Sequence, residues 1–214
     1  MSRSLRCLAL FCSAGGDSMG YHRAGFYVVG VDIEPQPRYP FEFHQADAFE
    51  FFAQHGHEFD LVVGGPMCRD WTPLTSVAGT TGTAWQLAAV ESMFVESGMP
   101  YVIENVVASP LKADITLCGK MFGLRVKRHR KFKSNIPLVA PAHPDTCRTT
   151  PTATSRRRER WDQGWDLSVT GDIGTYFGPE GMGIDWMNGN ELSQAIPPAY
   201  TELIGDQARR YLTN

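Results

Sequence analysis

Cys68 and Glu104 are the residues whose type and setting most invite chemistry. Cys68 follows the apolar run 59–63 (FDLVV) and the turn Gly64-Gly65-Pro66-Met67, with Arg69 directly after it. A thiol just past a buried strand faces a ligand crevice, where a thiolate beside a positive charge is a competent nucleophile. A free cysteine can equally be a small buried hydrophobe. Glu104 ends a second apolar run, in YVIENVV. Burying a carboxylate there is costly unless it is paired or used, and burial raises its pKa toward that of a neutral-pH proton donor. The alternative is a structural hydrogen bond to a neighbouring loop. Upstream, Ser13-Ala14-Gly15-Gly16 follows the run 5–11 (LRCLALF), and Asp32 closes the run 26–31 (FYVVGV). Glycines let a ligand approach the backbone and the free N–H groups of the next helix, while an aspartate after the second strand accepts hydrogen bonds from a ribose diol. The interval from Gly15 to Asp32 suits a cofactor carrying adenosine. FCSAGG is not GxGxxG, however, and a turn that merely links strand to helix has the same composition.

These residues need elements to hold them. The apolar runs 5–11, 26–31, 59–63 and 100–103 alternate with helical stretches, notably 83–98, where Trp85, Leu87, Ala88, Met93, Phe94 and Val95 recur at helical intervals. This pattern predicts an α/β fold, a doubly wound Rossmann-like sheet buried on both faces, with ligands bound beyond the carboxyl ends of the strands. Periodicity fails over 138–183, which reads as a small loop-rich insert, and returns over 191–212 as two helical pieces divided by Pro197-Pro198. The stretch 71–83 (WTPLTSVAGTTGT) directly after Cys68 reads as a loop able to close over a substrate.

The chain has 214 residues, 43% hydrophobic and 20% charged, which suits one globular domain and excludes disordered or collagen-like classes. No run of eighteen apolar residues is present and the N-terminus turns glycine-rich early, so a cytoplasmic protein is expected. Five cysteines without CxxC spacing predict free thiols and argue against a disulfide framework or a four-ligand zinc site. His143 and Cys147, in HPDTC, are split by Pro144 and read as a loop rather than a metal pair. The net charge of −3 conceals an asymmetry: residues 120–160 hold twelve lysines and arginines against Asp145 and Glu159. Such a block is either a nucleic-acid-facing element or a solvated loop. Trp71, Trp161 and Trp165 lie where they could stack on a base.

Taken together and in order, these motifs resemble the cytosine-C5 DNA methyltransferases over nearly the whole chain. LALFCSAGGDSMGYHRAGF is similar to the family's first motif, which holds S-adenosylmethionine; Phe11, Gly15 and Gly16 match, and Ser13 stands where a glycine is usual. VDIEP is similar to the second motif, implying that Asp32 holds the ribose and Ile33 packs against adenine. By the same resemblance Asp47, with Ala48 beside it, reaches the adenine amino group. GGPMCRDW resembles the Pro-Cys motif, with Pro66 beside the cofactor and Cys68 as nucleophile; Met67 replaces a proline and Arg69 a glutamine. YVIENV matches the Glu-Asn-Val motif, and VKRHRKF resembles QxRxR, with Val126 replacing glutamine and Arg128 and Arg130 retained. ELSQAIPPAYTELIG resembles the last motif, which folds back onto the cofactor through Gln194, Ala195 and Ile196; Gln194 stands where asparagine is common.

The resemblance implies methyl transfer from S-adenosylmethionine to carbon 5 of a cytosine flipped out of duplex DNA, with Cys68, Glu104, Arg128 and Arg130 as catalytic groups, no metal, and a monomeric enzyme. It divides the chain into a core (1–136), a short target-recognition insert (137–183) and a segment returning to the core (184–214). So short an insert implies relaxed or short-site recognition, with Arg69 and Trp71 near the target and Arg156, Arg157, Arg158 and Arg160 contacting mainly phosphates. RNA or a free cytidine nucleotide as substrate, a modified sulfonium cofactor donating a larger group, and a catalytically idle nucleic-acid-binding regulator are the competing readings.

Overall fold

The computed structural model describes residues 3–71, 82–144, 154–169 and 175–214, with 154–156 described by backbone alone. The strands are β1 Arg6–Leu10, β2 Tyr27–Asp32, β3 Glu42–Gln45, β4 Leu61–Gly64, β5 Tyr101–Val106, β6 Ile115–Leu117, β7 Val126–Lys127, β8 Arg130–Ser134 and β9 Leu167–Ser168. The helices are α1 Gly16–Arg23, α2 Ala48–His55, α3 Trp85–Ser97, α4 Thr154–Asp162, α5 Gly189–Gln194 and α6 Pro198–Thr213. Seven strands form one sheet in the order β3-β2-β1-β4-β5-β8-β6, and β7 and β9 form a separate parallel pair. Neighbours from β3 to β5 are parallel, while β8 is antiparallel to both β5 and β6.

Successive side chains of a strand point to opposite faces, and both faces here are covered. Cys7, Ala9, Leu61, Val63 and Val102 pack with Tyr21 of α1 and Tyr200 and Ile204 of α6. Leu8, Leu10, Val62 and Ile103 pack with Phe52 of α2 and Leu87, Val90 and Phe94 of α3. This two-sided burial is why β1, β2 and β4 read as continuous apolar runs rather than alternating ones. No helix among the described residues is long and apolar enough to cross a membrane.

Two expectations change. First, β5 does not stop at Ile103: pairing with β8 extends it through Val106, so Glu104 and Asn105 lie within a strand. Second, the region read as a loop-rich insert contains α4 and β9, and has a core of its own. Trp161, Leu167, Phe177, Met182 and Ile184 cluster there with Val126, Ala14 and Ala195. Its periodicity is obscured because its apolar residues are spread over short elements and close on the body of the protein, not on one helix face.

Helices α1 and α6 cross at backbone contact. A Cβ at Gly20 would lie 2.0 Å from Thr201 Oγ1 and 2.2 Å from the Pro198 carbonyl. Replacement Gly20→Ala is expected to cost about 2–3 kcal/mol in urea-unfolding free energy, the scale of overpacking in a close-packed interior; an unchanged midpoint would show that the crossing is looser than described.

Candidate functional site

The carboxyl ends of β1, β4 and β5 open onto one cleft, lined by Phe11, Cys12, Ser13, Ala14, Gly16, Asp17, Gly65, Glu104, Met187, Gln194, Ala195 and Ile196. A larger recess, among His22, Phe41 and Glu42, lies at the amino end of β2, away from every convergent group. The turn after β1 is held in left-handed backbone at Phe11 (φ 56°), Ser13 (φ 44°) and Gly15 (φ 80°). Such conformations cost a non-glycine residue on the order of 1 kcal/mol, which gives a physical reason for glycine being favoured where Ser13 stands. Asp32 compensates: its Oδ2 accepts the Ser13 N–H (2.9 Å) and its Oδ1 the Glu34 N–H (3.0 Å). The carboxylate thus fixes the turn while keeping lone pairs for a further donor. Trp186 Nε1–H donates to the Ala14 carbonyl (3.0 Å), and a Cβ at Gly16 would sit 2.6 Å from the Ile196 carbonyl. The last motif therefore closes directly on the first.

Ile33 is 61% exposed at the end of β2, open to a flat apolar partner. Asp47 caps α2, accepting the Phe49 and Glu50 N–H groups through Oδ1 (2.9 and 3.0 Å). Ala48 is 4% exposed and packs in the α2–α3 core, so its side chain belongs to the core and not to the cleft wall. Pro66 is buried, and its carbonyl accepts Asn105 Nδ2–H (3.1 Å), which ties the loop carrying Cys68 to β5.

Around Cys68 the charges are concentrated. Arg130 Nε lies 3.0 Å from Glu104 Oε1, with side-chain exposures of 14% and 19%. The contact is an ion pair by distance, but no hydrogen bond is aligned on Oε1, which leaves that buried oxygen open to a donor or proton. The other oxygen, Oε2, lies 3.1 Å from where a Gly65 Cβ would be, so Gly65 makes room for the carboxyl. Desolvation pushes the Glu104 pKa up to about 7 against the pull of Arg130 and Arg128. Arg128 is 4% exposed; its Nη2–H donates to the Ser193 carbonyl (2.9 Å) and its own carbonyl accepts the Tyr200 hydroxyl (2.7 Å). Desolvation and Arg130 bring its pKa down to about 9, which leaves it charged at neutral pH. The Cys68 thiol is shifted upward, first by burial and then by Glu104, with Arg130 and Arg128 opposing. Burial and Glu104 thus work against the expected thiolate, and the guanidiniums that oppose the shift, Arg130 and Arg128, come from the β7–β8 region rather than from the adjoining sequence.

Among the residues expected to recognise the target, Arg157 and Trp161 depart from the expectation. Arg157 is 3% exposed, so it is a core residue and not an outward phosphate contact; the Arg156 side chain lies outside the described residues. Arg158 lies over the Tyr176 ring (4.5 Å) and Arg160 over Trp165 (4.7 Å). Trp161, a candidate base-stacker, is buried, with Arg125 over its ring at 3.7 Å. Trp71 packs against the α2–α3 core, and its N–H donates to the Cys68 carbonyl (3.0 Å) in the short turn that exposes Arg69. Elsewhere in the basic block Lys120 pairs with Asp166 (2.9 Å), Lys133 pairs with Glu91, and Lys131 donates to the Ser109 carbonyl (2.8 Å). Residues 72–81 of the loop after Cys68, and Cys147, lie outside the described residues; the loop's flanks are joined, since Asp70 Oδ2 accepts the Thr83 N–H (2.8 Å) and hydroxyl (3.2 Å).

Three contributors escaped sequence reasoning. Asp17 lines the cleft, and burial raises its pKa to about 6 against hydrogen bonds from Ser18; an acid directly after the glycine pair was the available signal. Asn105 sat in a recognised motif without an assigned role, and Trp186 had no local signal.

A raised carboxyl pKa means that the folded state binds the proton more tightly than the unfolded state, so Glu104 stabilises below about pH 4.5 and loses that contribution as pH rises through 7. Glu104→Gln removes this titration. Its stability relative to the parent is expected to grow by about 3 kcal/mol between pH 4.5 and pH 8 in urea melts; a gap that stays flat or shrinks would contradict the buried-carboxyl account.

No protein-family profile and no curated protein matches the sequence. Solved structures do match over the full length. A DNA modification methyltransferase encoded within an E. coli prophage aligns with a TM-score of 0.62 at 14% identity, covering 99% of this chain and 100% of that one. An Entamoeba histolytica methyltransferase gives 0.63 at 10% identity, covering 100% of both. The S. pombe Dnmt2 methyltransferase gives 0.52 at 13%, covering 98% and 99%. At these identities what is shared is the architecture: the chain has the Rossmann-like fold of these methyltransferases.

Proposed function

We propose that the protein is an S-adenosylmethionine-dependent DNA (cytosine-5) methyltransferase that works through a covalent adduct on Cys68. The observation that carries this reading is the charge neighbourhood of Cys68: Glu104, which lines the glycine-turn cleft and pairs with Arg130, acts on the thiol together with Arg130 and Arg128. The methyltransferases that share the fold, one of them named as a DNA modification enzyme, support the class of reaction.

The chemistry of the cleft lining supports the cofactor. A half-buried carboxylate, Asp17, suits a ligand carrying a sulfonium and an ammonium charge, and Gly16 leaves bare backbone beside Ile196. Asp32 and Ile33 would take the ribose and adenine, and Gln194 to Ile196 the far wall. When bound, S-adenosylmethionine supplies an electrophilic methyl group to carbon 5.

The protein's own steps follow from charge. Carbon 5 of cytosine is a poor nucleophile until a thiolate adds to carbon 6. Cys68 passes its thiol proton to water as its sulfur bonds to carbon 6, the electron pair displaced into the ring is met by proton donation from Glu104 to N3, and the thiolate released at the end of the cycle takes a proton back from water. Arg130 stabilises the charge at O2, and Arg128 adds a fixed positive field. With a pKa near 7, Glu104 is protonated in a substantial fraction of molecules at neutral pH. After methyl transfer a base, such as water, removes the carbon-5 proton; the sulfur–carbon bond breaks, and Glu104 recovers its proton from N3. The target base must leave the stack to reach Cys68, at a cost of a few kcal/mol.

Internal use of much of the basic block favours few phosphate contacts, which supports a free cytidine nucleotide as the second reading of the substrate. A duplex carrying 5-fluorocytosine, whose carbon 5 cannot release a proton, is expected to trap a stable adduct that maps to Cys68 by mass spectrometry. Turnover by Cys68→Ser, or methylation of dCMP or tRNA without any of DNA, would overturn the proposal. Asp17→Asn is expected to weaken S-adenosylmethionine binding at least about tenfold by calorimetry, the scale of a lost charge-assisted contact; unchanged affinity would remove Asp17 from the cofactor site.

A further inference from the structure

Away from the cleft, three side chains unconnected in sequence converge. Cys118 directly follows β6, His129 sits in the turn between β7 and β8, and His143 lies in the segment leading away from β8. Their sulfur and nitrogen ligand atoms all lie within 4.8 Å of one another. The two histidines meet through Nε2 atoms 3.2 Å apart, with rings stacked at 5.1 Å and 26°. Cys118 is buried beneath them, its Sγ 4.0 Å from the Val126 carbonyl.

Nitrogens bound at 2.0–2.1 Å to a tetrahedral zinc ion sit about 3.3 Å apart, and a bound sulfur–nitrogen pair about 3.6 Å apart. The histidine pair already has the first spacing, and a modest swing of Cys118 Sγ brings the second. A neutral imidazole pair sharing one hydrogen bond would account for the 3.2 Å contact, but not for a thiol gathered against the same two rings. One sulfur and two imidazoles discriminate against calcium and magnesium, which take oxygen ligands, and suit a borderline-soft divalent ion.

We propose that Cys118, His129 and His143 form a zinc-type metal site, with a fourth position left to water. Its effect is structural. The ion clips the β7–β8 turn to the end of β6 and to the start of the segment entering the insert. His129 stands between Arg128 and Arg130, and its carbonyl accepts a hydrogen bond from Arg130 Nη1 (2.8 Å). Fixing this turn fixes the backbone from which both guanidiniums reach the cleft. Pairing His143 with Cys147, the neighbour in sequence, pointed away from this arrangement; its partners lie on two other elements, and only the fold assembles them.

The test uses the full-length protein, stripped with a chelator and titrated with Co²⁺. The expected result is one equivalent bound, with intense tetrahedral visible bands and a thiolate-to-cobalt charge-transfer band, both displaced by Zn²⁺. Zinc is also expected to raise the Tm of the parent protein and leave that of His143→Ala unchanged. His143 is exposed, so this variant keeps the fold and should bind at least about tenfold more weakly. Cys118→Ser should lose the charge-transfer band; should it fail to fold, His143→Ala carries the test. No bound cobalt, a spectrum without the thiolate band, or parent-like binding by His143→Ala would each overturn the site. None of these readouts depends on methyl transfer.

Discussion

A carboxyl facing a guanidinium across two antiparallel strands is the contact on which the cleft at the strand ends depends. Arg130 stands opposite Val106 and Glu104 opposite Phe132, so the two charges are diagonal neighbours on one face of the β5–β8 ladder. β8 alone among the strands of the sheet runs against the rest, and it alone delivers basic residues to the acidic end of β5. The pair is mostly shielded from water, so removing either member would leave the other charge buried without compensation. Desolvation still prevails over attraction, and Glu104 titrates near neutrality rather than as an ordinary carboxylate. A group able to hold or give up a proton at pH 7 is a consequence of that imbalance.

The rest of the site is built around this pair by close approach. Gly65 makes room for the Glu104 carboxyl, Asn105 ties the Cys68 loop to β5, and Tyr200 of α6 holds the Arg128 backbone. On the neighbouring strands, Asp32 steadies the strained turn that Ser13 occupies, and Trp186 reaches from the C-terminal part of the chain to the same turn. Cys68, Glu104 and the glycine-turn cleft therefore share one frame made of strand ends and of the segments 11–16 and 186–196.

The basic block shows how a sequence-level charge count can mislead. Twelve cations within 120–160 suggest an electrostatic footprint, yet Arg130 is paired with Glu104, Arg128 and Arg157 are buried, and Lys120 and Lys133 are paired within the chain. Arg125, Arg158 and Arg160 lie over aromatic rings, where cation–π attraction and the apolar stems help to close the small third core.

The sequence by itself determined the local features. Continuous apolar runs showed β1, β2, β4 and the start of β5 but not the polar edge strand β3, and helical spacing located α3 to within two residues. The motif order brought Cys68, Glu104, Arg128, Arg130 and the cofactor-side residues into one proposal. These are properties of short windows, where burial on both faces or a tight turn constrains the residues directly. Only the tertiary structure decided the rest. It extended β5 through Glu104, because a distant strand supplied the missing hydrogen bonds. It brought the charges of Arg128 and Arg130 to bear on the Cys68 thiol, and it placed Ala48, Trp161 and Arg157 in the interior. It also gathered Cys118, His129 and His143 from separate elements. Burial and electrostatic environment depend on which segments meet, and that is a property of the folded chain as a whole.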